Sequence, residues 1–192
     1  MLTKTLTTVA LGSLLLATPA AAQSEWAIDA SHTHILFSID HLGFSNTHGE
    51  FLEFNGTLML DPEAPESASI SIVIDAASID SGWPARDEHI RNADFLNVET
   101  YPTITFESTG VALTGEDTAH VTGDLTILDT TQEVVLDVVL NGLGPHPFSG
   151  ATVAGFTAST VINRSDFGVS FGVPAIGDEM SITIEMEAVP AG

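Results

Sequence analysis

The chain contains no cysteine, which excludes disulfides and thiolate metal sites and leaves stability to the apolar core. Basic residues are nearly as scarce: four Lys and Arg stand against 26 Asp and Glu, a formal net charge of −22. Nucleic acid is thereby excluded as a partner, because phosphate binding rests on Lys and Arg that release counterions. Anionic membrane surfaces repel such a chain for the same reason. The acidity reads as a solubility and salt-tolerance property of the whole surface, and no loop follows the acidic, glycine-containing EF-hand pattern. Also lacking are a Gly-x-Ser-x-Gly elbow, His-Glu-x-x-His, Ser-x-x-Lys and a phosphate loop, so the chain reads as a non-enzyme. Carboxylates are too abundant for any pair of them to be informative.

The first residues read as an address. Lys4 gives a positive start, Leu6 to Leu16 an apolar stretch, and Ala20, Ala21 and Ala22 the small residues before a cleavage point. Residues 1–22 are expected to be a signal peptide, cut before Gln23, with the remaining 23–192 exported to the periplasm as one domain. Beyond the leader no segment approaches the roughly 18 uninterrupted apolar residues of a membrane span. The exported part keeps only Arg86, Arg91 and Arg164 as basic residues.

What is present is a series of short alternating segments. Residues 34–42, 49–61, Ile70-Ile72-Ile74, Ile104-Phe106, Val121-Gly123-Leu125-Ile127, Val134-Leu136-Val138-Leu140, 154–163 and Ile182-Ile184-Met186 give about eight strands. There is no strand-helix-strand rhythm, so the fold class expected is all-β: an extended antiparallel β-barrel of about eight strands, the number that encloses one small ligand. Residues two apart share a strand face. His41 therefore stands in register with Ile35, Phe37 and Ile39, and Arg164 with Phe156, Ala158, Thr160 and Ile162. Turned inward, these faces with Phe106 make an apolar cavity with polar groups at the strand ends, the anatomy of a carrier for a long apolar molecule.

Residues 81–101 break the β pattern. Pro84 suits a first helical turn, and Trp83, Ile90, Phe95 and Leu96 recur as apolar residues of one or two short helices. This helical insert either lids one open end of the barrel, bringing His89 and Phe95 to the ligand, or packs on its outside. Arg86, Asp87 and His89 could clamp a head group, or Arg86 and Arg91 could pair locally with Asp87, Glu88 and Asp94. Val135 and Val139 are apolar on the face opposite Val134 and Leu136, so either the insert or a second subunit, in a homodimer, covers them.

A charged guanidinium on an apolar face must be paired or reach the barrel mouth. Asp166, two residues beyond Arg164 on the same nominal face, is its candidate partner, and the pair either meets a ligand head or closes the barrel structurally. His41 can donate or accept to a head group as a neutral imidazole. His32 and His34 could form one edge of a metal site with His41 or His48, but turn and strand-end histidines explain the spacing without a metal, and no metal site is assigned.

Taken in order, Asp29, His32, Phe37, His41-Leu42-Gly43, Gly49-Glu50-Phe51, Ile74-Asp75, Ser78-Ile79, Arg86-Asp87, His89 and Arg91 carry a family resemblance. It continues through Phe95, Tyr101-Pro102, Phe106-Glu107-Ser108, residues 123–126, 154–156 and 163–168, and Gly177-Asp178-Glu179. The chain resembles the YceI-like polyisoprenoid-binding proteins over essentially its whole exported length. The resemblance implies a lipocalin-like extended barrel, typically periplasmic and often dimeric. Its tunnel would hold an isoprenoid quinone, a polyprenyl phosphate or a similar long-chain lipid, with no further cofactor. One departure is the turn Leu128-Asp129-Thr130, where the family usually has His-Gly; Asp129 is expected to take the left-handed backbone there. The expected function is a periplasmic carrier or binding protein for such a lipid, with a neutral head favoured over a phosphorylated one in so acidic a chain. The alternatives are an enzyme acting on that lipid and a His-based metal-binding periplasmic protein.

Overall fold

The computed structural model describes residues 23–191, so the expected leader lies outside the described residues. Eleven strands run in chain order: β1 (Ser24–Ile28), β2 (His34–His41), β3 (Ser45–Phe51), β4 (Phe54–Leu60), β5 (Ser69–Asp75) and β6 (Ile79–Asp80), then β7 (Thr103–Leu113), β8 (Thr118–Ile127), β9 (Thr130–Pro145), β10 (Thr152–Asn163) and β11 (Ile176–Pro190). One helix, α1 (Pro84–Arg91), follows β6. Eight strands close into an antiparallel ring in the order β1, β4, β5, β7, β8, β9, β10, β11, with β11 pairing back onto β1. The expected eight-stranded barrel is therefore the architecture. At roughly 3.3 Å per residue, the ten residues of β8 make a strand about 30 Å long.

The three extra strands come from a fork in β11. Its residues Ile176–Glu185 pair with β2, whereas Ala188–Pro190 pair with β1. From β2 the sheet continues through β3 to the two-residue β6. The single strand expected over 49–61 is thus two: β3 belongs to this extension and β4 to the ring, with different partners on each side. The hairpin turn between β2 and β3 places Leu42 and Gly43 at φ of 62° and 73°, the mirror-image turn whose twist matches the strands it joins.

Alternation sorts side chains as period two requires. Ile74, Ile104, Phe106, Leu125, Ile127 and Leu136 fall in one buried cluster. A smaller one, of Trp26, Leu58, Leu60, Ala154 and Ala188, lies beneath the β1 closure, with both alanines fully buried. At the β8–β9 turn, Leu128 and not Asp129 takes the left-handed backbone, at φ 57°. Its side chain packs against the core, and that burial offsets the roughly 1–2 kcal/mol of the conformation. Helix α1 starts on Pro84, where a missing N–H is harmless. It packs against β6 and leaves Val135 and Val139 exposed on β9, so the insert is not the cover of that face.

Candidate functional site: an apolar cavity through the barrel

The inward faces of the ring enclose a cavity of about 560 Å³, within the range of small-molecule sites. Phe37, Ile39, Phe106 and Phe156 line it as expected from alternation. Two of these rings have room because a glycine faces them. Phe37 lies over its cross-strand partner Gly49, where a Cβ would come within 2.5 Å of the ring. Phe106 lies over Gly123 in the same way. The remaining wall is dominated by Ile, Leu, Val and Met, including Ile72, Leu125, Val138 and Ile184.

Polar lining groups gather at the two ends. At one end are Glu116, Asp117 and Thr118 of the β7–β8 hairpin. At the other are His41, Thr47, Arg86, His89 and Arg164. The helical insert stands at this second end: Arg86, His89 and Ile90 of α1, with Phe95 and Leu96 after it, all line the cavity. The lid arrangement, with His89 and Phe95 at the site, is the one adopted. His89 is held by Asp94 (Nε2 to Oδ2, 2.9 Å) and stands edge-on to both Phe95 and Phe171, with ring centroids 5.0 and 5.3 Å away. His41 ends β2 beside Ile176 and is exposed; its ring makes no side-chain hydrogen bond among the described residues.

Arg164 corrects the sequence expectation. It is 4% exposed and donates to four main-chain carbonyls: Nε to Gly177 at 2.9 Å, Nη1 to Val169 at 2.9 Å, and Nη2 to Phe171 at 2.9 Å and Ile176 at 3.3 Å. Burial pushes its pKa down, only partly opposed by Asp178. Asp166 is not its partner. The strand ends at Asn163 and a 3₁₀ turn begins at Arg164, so the two-residue register no longer applies and Asp166 turns outward. It is exposed, accepting from Asn163 Nδ2 at 3.4 Å, and takes no part in the site. Ile162 is buried in the same cluster as Phe167 and Val169, and Val169, whose N–H donates back to the Arg164 carbonyl, lines the cavity. The turn is anchored by Asp178, which accepts from Ser165 N at 2.9 Å and Oγ at 2.7 Å. These bonds hold its carboxyl below the usual aspartate value.

The expected local ion pairs of Arg86 and Arg91 are likewise replaced. Arg86 donates to Ser81 Oγ (2.7 Å) and Ser81 O (2.5 Å), and Arg91 to the carbonyls of Ala77 (2.7 Å) and Ile79 (2.6 Å). Nor do His32 and His34 converge with His41 or His48. His34 Nδ1 meets Glu50 at 3.1 Å, and His32 Nδ1 meets Asp29 at 2.9 Å. Two hydrogen bonds from Ser31 and one from His32 draw the Asp29 carboxyl down to about 2, while the Asp29 bond raises the His32 pKa. Sequence reasoning missed the far rim at Glu116 and Asp117, as well as Phe171; all lie in connections where no strand period marks an inward face.

The YceI-like domain model matches residues 26–188. The chain is 40% identical over 191 residues to the UPF0312 protein of Azotobacter vinelandii, covering 98% of this chain and 99% of that one. Among solved structures it is similar to Burkholderia cenocepacia BcnA, at 26% identity and a TM-score of 0.77 over 84% of this chain and 99% of that one. A polyisoprenoid binding domain from Saccharophagus degradans, 14% identical, shares the fold at a TM-score of 0.62 over 88% of this chain and 99% of that domain. Family model, relatives and barrel agree: the chain belongs to the YceI-like family.

Proposed function

We propose that the protein binds a long-chain isoprenoid lipid inside the barrel and carries it in the periplasm without transforming it. The observation that supports this most is the cavity of about 560 Å³, lined mainly by apolar side chains, with its charged and imidazole groups gathered at the two ends and only the hydroxyl residues Ser69, Ser108 and Thr160 among the strands between. A linear apolar chain with one polar terminus matches that distribution, because burial of its chain is favourable at about 25 cal/mol per Å². The polyisoprenoid binding domain that shares the fold supports the same class of ligand.

The head group proposed is neutral, a quinone in preference to a prenyl phosphate. All three arginines donate to main-chain carbonyls or to Ser81, so none stands ready for a phosphate, and drawing Arg164 away would cost about 1–3 kcal/mol for each buried carbonyl left unpaired. A quinone oxygen needs one donor, which the imidazole of His41 offers. Competition between a prenyl quinone and a prenyl phosphate of equal chain length, at low and high salt, tests the choice. Tighter quinone binding at both salts is expected; tighter phosphate binding at low salt contradicts it. A homodimer through the exposed β9 face is part of the same proposal.

A further inference from the structure

We propose that Asp29, His32 and Glu187 form a binding site for a zinc-class divalent ion that staples the seam of the barrel. The three lie where β11 leaves β2 and joins β1. Glu185 is the last β11 residue paired with β2, through His34, and Ala188 the first paired with β1, through Ile28. Glu187 falls between, and its carbonyl accepts from Asp29 N at 2.9 Å, which fixes the β1–β2 connection against β11.

The ligand atoms are already gathered. His32 Nδ1 lies 2.9 Å from Asp29 Oδ2 and 4.0 Å from Glu187 Oε2, and one ligand atom from each residue lies within 4.8 Å of the others. Zinc bonds of about 2.0–2.1 Å in a tetrahedron place neighbouring donors roughly 3.3 Å apart. The two histidine–carboxylate distances bracket that value, and the two carboxylates, within 4.8 Å of each other, must draw together by side-chain rotation when the ion binds. An imidazole nitrogen with two carboxylate oxygens suits zinc, whereas calcium and magnesium prefer all-oxygen shells. The backbone is held by Ser31, whose N and Oγ both donate to Asp29 Oδ1 at 2.9 and 2.6 Å, leaving Oδ2 to face His32. All three side chains are partly exposed, giving the ion an entry path and room for a water in the fourth position.

The nearby His34 is a built-in control, since Glu50 engages it. Untagged protein should be titrated calorimetrically with zinc chloride and melted with and without it, beside a magnesium chloride arm. The expected result is one zinc per chain and a Tm raised by several degrees, since an ion that binds only the folded state stabilises it. Magnesium at equal concentration should do neither. His32→Ala should weaken zinc at least tenfold and remove the Tm rise, Glu187→Gln should weaken it severalfold, and His34→Ala should leave both unchanged. Far-ultraviolet circular dichroism checks that each variant is folded. Equal zinc binding by His32→Ala, a stabilisation that magnesium reproduces, or no zinc binding at all would overturn the assignment.

Discussion

At the scale of single residues, the use made of the arginines is the least expected finding. In a chain with 26 carboxylates, no arginine lies within 4.0 Å of a carboxylate oxygen among the described residues; the ion pairs found are all histidine pairs. Arginine serves here as a donor fork that closes irregular backbone where no strand partner exists. Arg164→Met should therefore destabilise by about 3–5 kcal/mol, because the buried carbonyl of Val169 and the partly buried ones of Phe171 and Gly177 lose their donor together. Asp166→Asn should change stability by less than about 0.5 kcal/mol. Urea unfolding of the two variants checks this, and equal losses would restore the Arg164–Asp166 pair that the sequence suggested.

At the scale of elements, strand periodicity makes much of the cavity wall legible: Phe37, Ile39, Phe106 and Phe156 line it, each inside a long strand with regular alternation. Where a strand ends, alternation no longer tells which way a side chain points. Ile162 and Asp166 flank the point at which β10 gives way to a 3₁₀ turn, and no period in the sequence marks that change. β1 was missed because its five residues Ser-Glu-Trp-Ala-Ile are too few and too mixed to show alternation, and its place is set by the distant β4 and β11. The helical insert was legible from Pro84, but its role as a lid depends on Phe171, far away in sequence, meeting His89. The turn after β10 also carries a pH dependence. Asp178 is held below its ordinary value by Ser165, so its contribution to stability is complete above the unfolded aspartate value and is lost as pH falls through the lowered folded value. Urea midpoints measured from about pH 6 to about pH 2.5 should fall more steeply for the native protein than for Asp178→Asn; parallel curves would remove this role.

At the scale of the whole molecule, a barrel that is acidic outside and apolar inside divides solubility from binding between its two faces. On the outer face of β9, Val135 and Val139 are 44% and 41% exposed, with Val161 of the neighbouring β10 at 58%. These valines flank Asp137, which pairs with His120 on the same outward face, and exposed apolar side chains so grouped are what a second copy could cover. Sedimentation should show a concentration-dependent dimer that Val139→Glu returns to monomer, whereas a concentration-independent monomer would leave the patch unpartnered.

Whether the cavity holds a long-chain lipid is answered by lipid extraction and native mass spectrometry of untagged protein from its own host. One neutral isoprenoid-chain lipid per barrel is expected, chemically unchanged on extraction. It should be absent from Phe106→Asp, which places an unpaired charge in the wall, and retained with altered affinity by Phe106→Leu, which keeps the fold. A barrel that emerges empty and takes up no prenyl quinone, or a folded Phe106→Asp protein that carries the lipid undiminished, would contradict the account.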